Sequence, residues 1–169
     1  MPTSIVANAL DQLGQLRAAV APDDAGRPTP CAEWNVAELS DHIVNSVNGM
    51  ATMARGGTPD WAAATHHDNP TAALRQAGDD FMRALDAGAG SFPEGMAAAE
   101  LAVHAYDVAS ALGRDTAGLD PEVAEAGLAF MTASMTDDMR GDAFGPERPA
   151  PADANPYERV AAFAGRCVR

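Results

Sequence analysis

Residues 35–53 read NVAELSDHIVNSVNGMATM, and this stretch carries the start, the buried stripe and the length of one amphipathic helix. Asn35 is a residue type that accepts hydrogen bonds from the first backbone amides of a helix, and Glu38 can reach back to the Asn35 amide. Trp34 before the cap and Leu39 after it can pack together as a hydrophobic staple. The sequence therefore predicts a helix that begins sharply and ends at the glycine pair following the quoted stretch.

Five other segments show apolar residues near a period of 3.6, bounded by prolines and glycines. These predicted helices cover residues 3–21, 71–87, 95–112, 121–139 and 156–165. A long loop is expected over 58–70 and an irregular, proline-rich tail over 141–156. A large alanine share with only 5% aromatic residues favours packed helices over a sheet. We therefore predict an all-α fold and a single domain over residues 1–169.

The charge balance limits the classes of partner. The formal net charge is −13, and all eleven cationic residues are arginine, with no visible basic cluster. Binding of nucleic acid is not expected, because it depends on clustered positive charge. A membrane span is not expected either, since no window approaches about 18 consecutive apolar residues. The start of the chain lacks a basic segment followed by a long apolar run, so we expect a cytoplasmic protein with two free thiols.

Two histidines and a glutamate form the strongest candidate for a functional site. His42 and His104 hold the same offset of three residues from a core leucine, which places each imidazole at the flank of its helix's apolar stripe. Glu100 lies four residues before His104 and therefore on the same helix face. Two imidazoles and one carboxylate suit zinc or a similar divalent metal, with open positions for water or substrate.

Simpler interpretations of this pattern stay open at the sequence level. A Glu-x-x-x-His pair often makes only a solvated contact within one helix, and a histidine beside a core is often just packed and hydrogen-bonded. Spacing in the sequence does not show that the two histidine-bearing helices meet.

Further residues are candidates for roles around this site. Asp107 could be a fourth ligand, an acceptor that orients the His104 imidazole, or a base. Asn45 and Gly49 follow His42 by one and two turns, so an amide there could orient a substrate and a small residue could leave room above the metal. His66, like its neighbour His67, could overhang the pocket from the 58–70 loop as an acid–base group, although exposed loop histidines are commoner.

Several motifs together carry a resemblance to a known family. They are PTPCAEWNV at residues 28–36, the His42 motif, ELAVHAYDVA at residues 100–109, and FGP, PADA and FAGR at residues 144–146, 151–154 and 163–166. These motifs resemble the DinB-like proteins related to the mycothiol-dependent maleylpyruvate isomerase N-terminal domain, and the tail is similar to one actinobacterial branch of that family.

The resemblance implies a four-helix up-down-down-up bundle, here with an extra short helix and the proline-rich C-terminal tail. It implies a divalent metal, zinc or else nickel, iron or manganese, held by His42, Glu100 and His104. It also implies a reaction in which the metal activates a low-molecular-weight thiol, with mycothiol as a co-substrate, toward a small electrophilic metabolite. Asp107 and Tyr106 are then the catalytic candidates, and Asn45, Gly49 and His66 the substrate-binding candidates.

Two departures from the family pattern limit what can be carried over. Tyr106 stands where many relatives have tryptophan, and the sequence lacks the additional C-terminal domain of the isomerase itself. We therefore expect a thiol transferase or isomerase whose reaction differs from that of the isomerase. The alternatives are a secondary-metabolite tailoring enzyme, a cyclase or hydrolase that works with or without metal, and a non-enzymatic stress protein that sequesters a metal or ligand. An apolar helix face would allow a homodimer in each case.

Overall fold

The computed structural model describes residues 4–88, 91–141 and 144–168, and within these ranges the secondary structure is helical, with no strand. The fold class predicted from the sequence is therefore confirmed. The α-helices of the described residues are α1 (Ile5–Ala18), α2 (Val36–Ala54), α3 (Pro70–Ala87), α4 (Glu94–Ala111), α5 (Pro121–Ser134) and α6 (Pro156–Phe163).

Local signals set the start of α2 as the sequence predicts. The Asn35 side chain accepts a hydrogen bond from the Glu38 amide at 3.0 Å, and the Glu38 carboxylate accepts one from the Asn35 amide at 2.9 Å. An isolated β-bridge between Pro28 and Asn35 closes the preceding turn. The Thr29 hydroxyl lies 2.7 Å from the carbonyl oxygen of Trp34, so this turn also fixes the residue that precedes the cap.

Helix packing places α4 at the centre of the molecule. α2 and α1 each pack against α3 and α4, which gives a four-helix arrangement, while α5 and α6 cover another side of α4. Residues 97–99 and 101–109 of α4 are all buried, and Glu100 alone within that run is partly exposed. The close approach of α5 depends on Gly127, because a Cβ there would lie 2.8 Å from the Ala99 Cα. The up-down-down-up order of the bundle stays a prediction, as does the single-domain organisation.

Two helices end three or more residues before their predicted bounds, and the other predicted helix ends of the described residues agree within two residues. The first helix ends at Ala18 rather than residue 21, and a short 3-10 turn over Pro22–Asp24 follows it. α5 ends at Ser134 rather than near residue 139, because the chain turns extended at Met135 before a second 3-10 turn over Asp137–Met139. Threonine and aspartate follow that point, and their short polar side chains compete with the helical backbone for hydrogen bonds.

The C-terminal tail is irregular, as expected, but it is held firmly against the bundle. The Arg140 Nη1 donates to the carbonyl oxygens of Gly145 and Phe163 at 2.6 and 2.7 Å, and its guanidinium lies 4.8 Å from the centre of the Phe163 ring. Gly145 and Gly165 pack backbone against backbone. No helix in the described part of the chain has both the length and the apolar character needed to span a bilayer.

Candidate metal centre

The three predicted ligands come together where α2 meets α4. The Glu100 Oε1 lies 3.0 Å from the His42 Nε2 and 3.3 Å from the His104 Nε2. One potential ligand atom from each of the three residues lies within 4.8 Å of the others. The two imidazole rings meet edge to face, with centroids 5.0 Å apart. The structure therefore supplies the contact between α2 and α4 that spacing in the sequence could not show.

The charges of this cluster are tightly coupled. Burial alone would raise the pKa of Glu100, but the positive charge of His104 and the contacts with both imidazoles hold it well below its usual value. Burial lowers the pKa of His104, but the Glu100 charge and the hydrogen bond to Asp107 outweigh that effect and raise it to about 9. In the metal-free protein, Glu100 is therefore a carboxylate and His104 an imidazolium at neutral pH.

His104 provides the test of whether these residues fit a metal. It is fully buried, and its Nε2 makes no hydrogen bond of acceptable geometry to any residue that the structure describes. Its contact with the Glu100 Oε1, at 3.3 Å, is an ion pair without good hydrogen-bond geometry, and a buried polar atom that lacks a well-formed hydrogen bond costs free energy. The His104 Nδ1, in contrast, lies 3.0 Å from the Asp107 Oδ2, so Nε2, which faces Glu100, is the nitrogen that could bind a metal once its proton has left. A divalent ion would satisfy that nitrogen, so the donor set fits one.

Asp107 is held in place by Arg166, a residue that was not predicted to belong to the site. The guanidinium of Arg166 is 3% exposed, and its Nε and Nη2 donate to the two Asp107 oxygens at 3.1 and 2.8 Å. Asp107 itself is fully buried. Burial would raise its pKa, but the hydrogen bonds with His104 and Arg166 keep the pKa below its ordinary value. Among the three roles that were open for Asp107, this geometry favours the one that orients the His104 imidazole.

Two more residues of the site were missed. The Trp34 indole stacks on the His42 imidazole with ring centroids 4.0 Å apart and planes inclined by 19°, so it limits the rotation of that ring. The Ser46 hydroxyl, one turn after His42, donates to the Glu100 Oε1 at 2.7 Å. The i, i+4 spacing of His42 and Ser46 was a usable signal for the second of these contacts.

The family model of the mycothiol maleylpyruvate isomerase N-terminal domain matches residues 6–109, which is more than half of the chain. This chain belongs to that family. It is also 32% identical over 174 aligned residues to two uncharacterized proteins of Mycobacterium tuberculosis, one from strain CDC 1551 / Oshkosh and one from strain ATCC 25618 / H37Rv, with 95% of each chain covered. No solved structure matches. The resemblance stated from the motifs is thus confirmed, and the matched region includes the three candidate ligands but not Arg166.

Asn45 and His66, two of the predicted substrate-binding residues of this family member, hold the 58–70 loop. The Asn45 amide donates to the Thr65 carbonyl at 3.0 Å, and its oxygen lies 3.1 Å from the His67 Nε2. Asp41 binds the same loop, with its oxygens 2.8 Å from the His66 Nδ1 and 2.9 Å from the His67 amide. The segment is a loop, as predicted, and these hydrogen bonds tie it to α2; a role for these side chains in binding substrate stays a prediction.

Gly49 also contacts this loop. A Cβ at that position would lie 2.7 Å from the Trp61 ring, so the small residue lets the indole pack closely on α2. The room that was expected above the metal at Gly49 is thus filled by a side chain of the protein itself. Trp61 remains 50% exposed.

Tyr106 lies away from the ligand cluster. It is two residues, or about 200° of helical turn, from His104. Burial raises the pKa of its phenol, with Ser110 as the hydrogen-bond partner and the side chains of Glu158 and Cys167 nearby. The phenol therefore faces the C-terminal segment, and a catalytic role for it stays a prediction without support from this geometry.

Proposed function

We propose that this protein is a divalent-metal-dependent enzyme that uses a low-molecular-weight thiol of the mycothiol type in a transfer or isomerisation reaction on a small electrophilic metabolite. The observation that carries the proposal is the convergence of the three candidate ligands around the buried His104 Nε2, which lies 3.3 Å from the Glu100 Oε1 but makes no hydrogen bond of good geometry to any described residue. The family's description supports the thiol, since it names mycothiol.

His42, Glu100 and His104 would hold the ion. Two nitrogens and one carboxylate oxygen are a donor set that zinc accepts, as do iron, nickel and manganese. A bound divalent ion would lower the pKa of a thiol, so that thiolate is available at neutral pH. The metal is thus needed for chemistry and not for folding, because a domain of this size has a sufficient core of its own.

The chain's other residues keep the ligands in place. The Ser46 hydroxyl donates a hydrogen bond to the Glu100 Oε1 and so holds that carboxylate beside α2. Trp34 covers one face of the His42 ring and shields it from water. Together these contacts fix the orientation of the ligands before a metal arrives, which reduces the entropy lost on binding.

The exposure of the ligands indicates the side from which substrates approach. The side chains of His42 and Glu100 are 25% and 17% exposed, whereas that of His104 is 1% exposed. A thiol and an electrophile would therefore approach past His42 and Glu100. Asp107 lies behind His104 and would not touch them.

Elemental analysis of protein purified without a chelator or a metal-affinity tag tests the metal. We expect about one divalent ion per chain, lost in the His104→Ala variant. His66→Ala is the matched control, because that histidine is exposed and bonds to Asp41 instead. Wild-type protein that binds no metal, even when zinc, nickel, iron or manganese is supplied, would refute the proposal.

The thiol is tested separately with the metal-loaded protein. A chromogenic electrophile such as 1-chloro-2,4-dinitrobenzene should react faster with mycothiol in the presence of the loaded protein than with the metal-stripped protein or the His104→Ala variant. Metal-free protein whose activity still depends on His104 would favour the metal-independent tailoring enzyme instead. Tight metal binding without turnover across several thiols would favour the sequestering protein.

A further inference from the structure

We propose that Arg166, in the C-terminal segment, is a positioning residue for the metal centre. It fixes Asp107, and Asp107 fixes the imidazole of His104 so that Nε2 is presented to the ion. This inference rests on the proposed metal-binding function. It concerns a residue that lies outside the 6–109 region shared with the family model.

The contacts form a continuous buried chain. Arg166 makes two parallel hydrogen bonds to the Asp107 carboxylate, at 3.1 and 2.8 Å, and this fork fixes the plane of the carboxylate. The Asp107 Oδ2 then lies 3.0 Å from the His104 Nδ1. All three side chains are 3% exposed or less, so water does not compete for these bonds. Such partners of a ligating histidine set its tautomer and ring orientation.

The backbone next to Arg166 allows its side chain to reach Asp107. Gly165 has a φ of +91°, which side chains other than glycine rarely tolerate, and a Cβ there would lie 2.8 Å from the Gly145 Cα. The Arg166 guanidinium lies 5.7 Å from the centre of the Phe144 ring, which in turn lies 6.4 Å from the His104 ring. These contacts explain the FGP and FAGR motifs, because they place the Arg166 guanidinium against Asp107 and the Phe144 ring near His104.

A purely structural ion pair would have the same geometry, so the test must read the metal centre directly. We would measure Zn²⁺ affinity by competition with a chromophoric chelator for the wild type, Arg166→Lys and Arg166→Met. Lysine keeps the charge but cannot form the fork. We expect both variants to bind about 10 to 100 times more weakly. Tyr157→Phe is the control, because it removes the hydrogen bonds of the Tyr157 hydroxyl with Gln12 and Asp120, in the helix that precedes Arg166, without touching Asp107.

A double-mutant cycle shows whether Arg166 acts through Asp107. Removing Arg166 in the Asp107→Asn background should cause no further loss of affinity, whereas independent effects would add. The double variant also leaves no unpaired buried charge, so it is expected to fold even if Arg166→Met does not. In the metal-free protein, the Nδ1 proton of His104 should give a slowly exchanging NMR signal that disappears in Arg166→Lys while the α4 amides stay protected.

The outcomes separate the two proposals. Wild-type protein that binds no Zn²⁺ overturns the proposed function. Wild-type protein that binds Zn²⁺, with Arg166→Lys binding equally tightly, overturns only the role of Arg166. An additive double variant, or a Tyr157→Phe variant that weakens binding as much as Arg166→Lys, also overturns it, because the effect would then come from general loosening of the tail.

Discussion

Metal binding at this centre should release a proton from His104. The His104 Nδ1 bonds to Asp107, so the proton that must leave is the one on Nε2, the atom that faces Glu100. Because the Glu100 charge and the Asp107 hydrogen bond raise the pKa of His104 to about 9, the metal-free site is protonated at neutral pH. A metal and a proton therefore compete for the same nitrogen.

The size of the effect follows from that pKa. A group with a pKa of about 9 is roughly 97% protonated at pH 7.5, so close to one proton should leave His104 for each ion bound. Well below pH 9 the apparent affinity should rise about tenfold per pH unit, and the slope should flatten toward pH 9, which gives a rise of about twenty-five-fold between pH 7 and pH 8.5. Above pH 9 this dependence should level off, since His104 is then already neutral.

Isothermal titration calorimetry measures both quantities. Zn²⁺ is titrated into the metal-free protein in Pipes, Hepes and Tris, whose ionisation enthalpies differ, and the slope of the observed enthalpy gives the number of protons released. The titration is repeated across the pH range and with the His66→Ala control, which should behave as the wild type does. An affinity that stays constant between pH 7 and pH 8.5 would refute this account of the His104 charge.

Two further predictions concern the segments around the site. Gly165→Ala should lower the free energy of unfolding, measured in urea, by about 2 kcal/mol or more, because Gly165 has a positive φ and packs against Gly145. The control is Gly14→Ala in α1, where an added Cβ would meet no other atom of the described residues. In the same assay that variant should be neutral or stabilising by up to about 1 kcal/mol. Asp41→Ala should lower the pKa of His66 in an NMR titration and speed hydrogen exchange across residues 58–69, since Asp41 raises that pKa and binds the loop. Unchanged exchange would show that Asp41 does not hold the loop.

The start of α2 could be predicted closely because its signals are local. Asn35 and Glu38 lie within four residues of each other and satisfy each other's amides, so no tertiary contact is needed to place them. The end of α5 could not be predicted in this way. Its apolar pattern continues to Met139, but the chain leaves the helix at Met135, where the residues that follow are as able to form turns as helix.

In the candidate site, too, the local contacts could be predicted from the sequence and the long-range contacts could not. Glu100 and His104 share a helix face, so their proximity follows from helical geometry alone. The approach of His42 depends on the packing of α2 against α4, and the hydrogen bonds of Arg166 to Asp107 span 59 residues. Nothing local marks such contacts. The role of Gly49 was also beyond the sequence, because it depends on where the indole of Trp61 comes to rest.

The centre has two sides of different rigidity, and this has a consequence for metal exchange. His104 is fully buried and held by a chain of hydrogen bonds through Asp107, whereas His42 is 25% exposed and is held by its 3.0 Å contact with the Glu100 Oε1 and by stacking on Trp34. If the site binds a metal, we expect the ion to enter and leave past the more exposed His42, because His104 cannot turn without breaking the Asp107 contact. Weakening the Trp34 stack would change the rates of metal entry and loss, while weakening the Arg166 contact would change the orientation of the nitrogen that binds. On the proposed function, Asp107 and Arg166 would thus set the geometry of the metal centre, and Trp34 and His42 would set access to it.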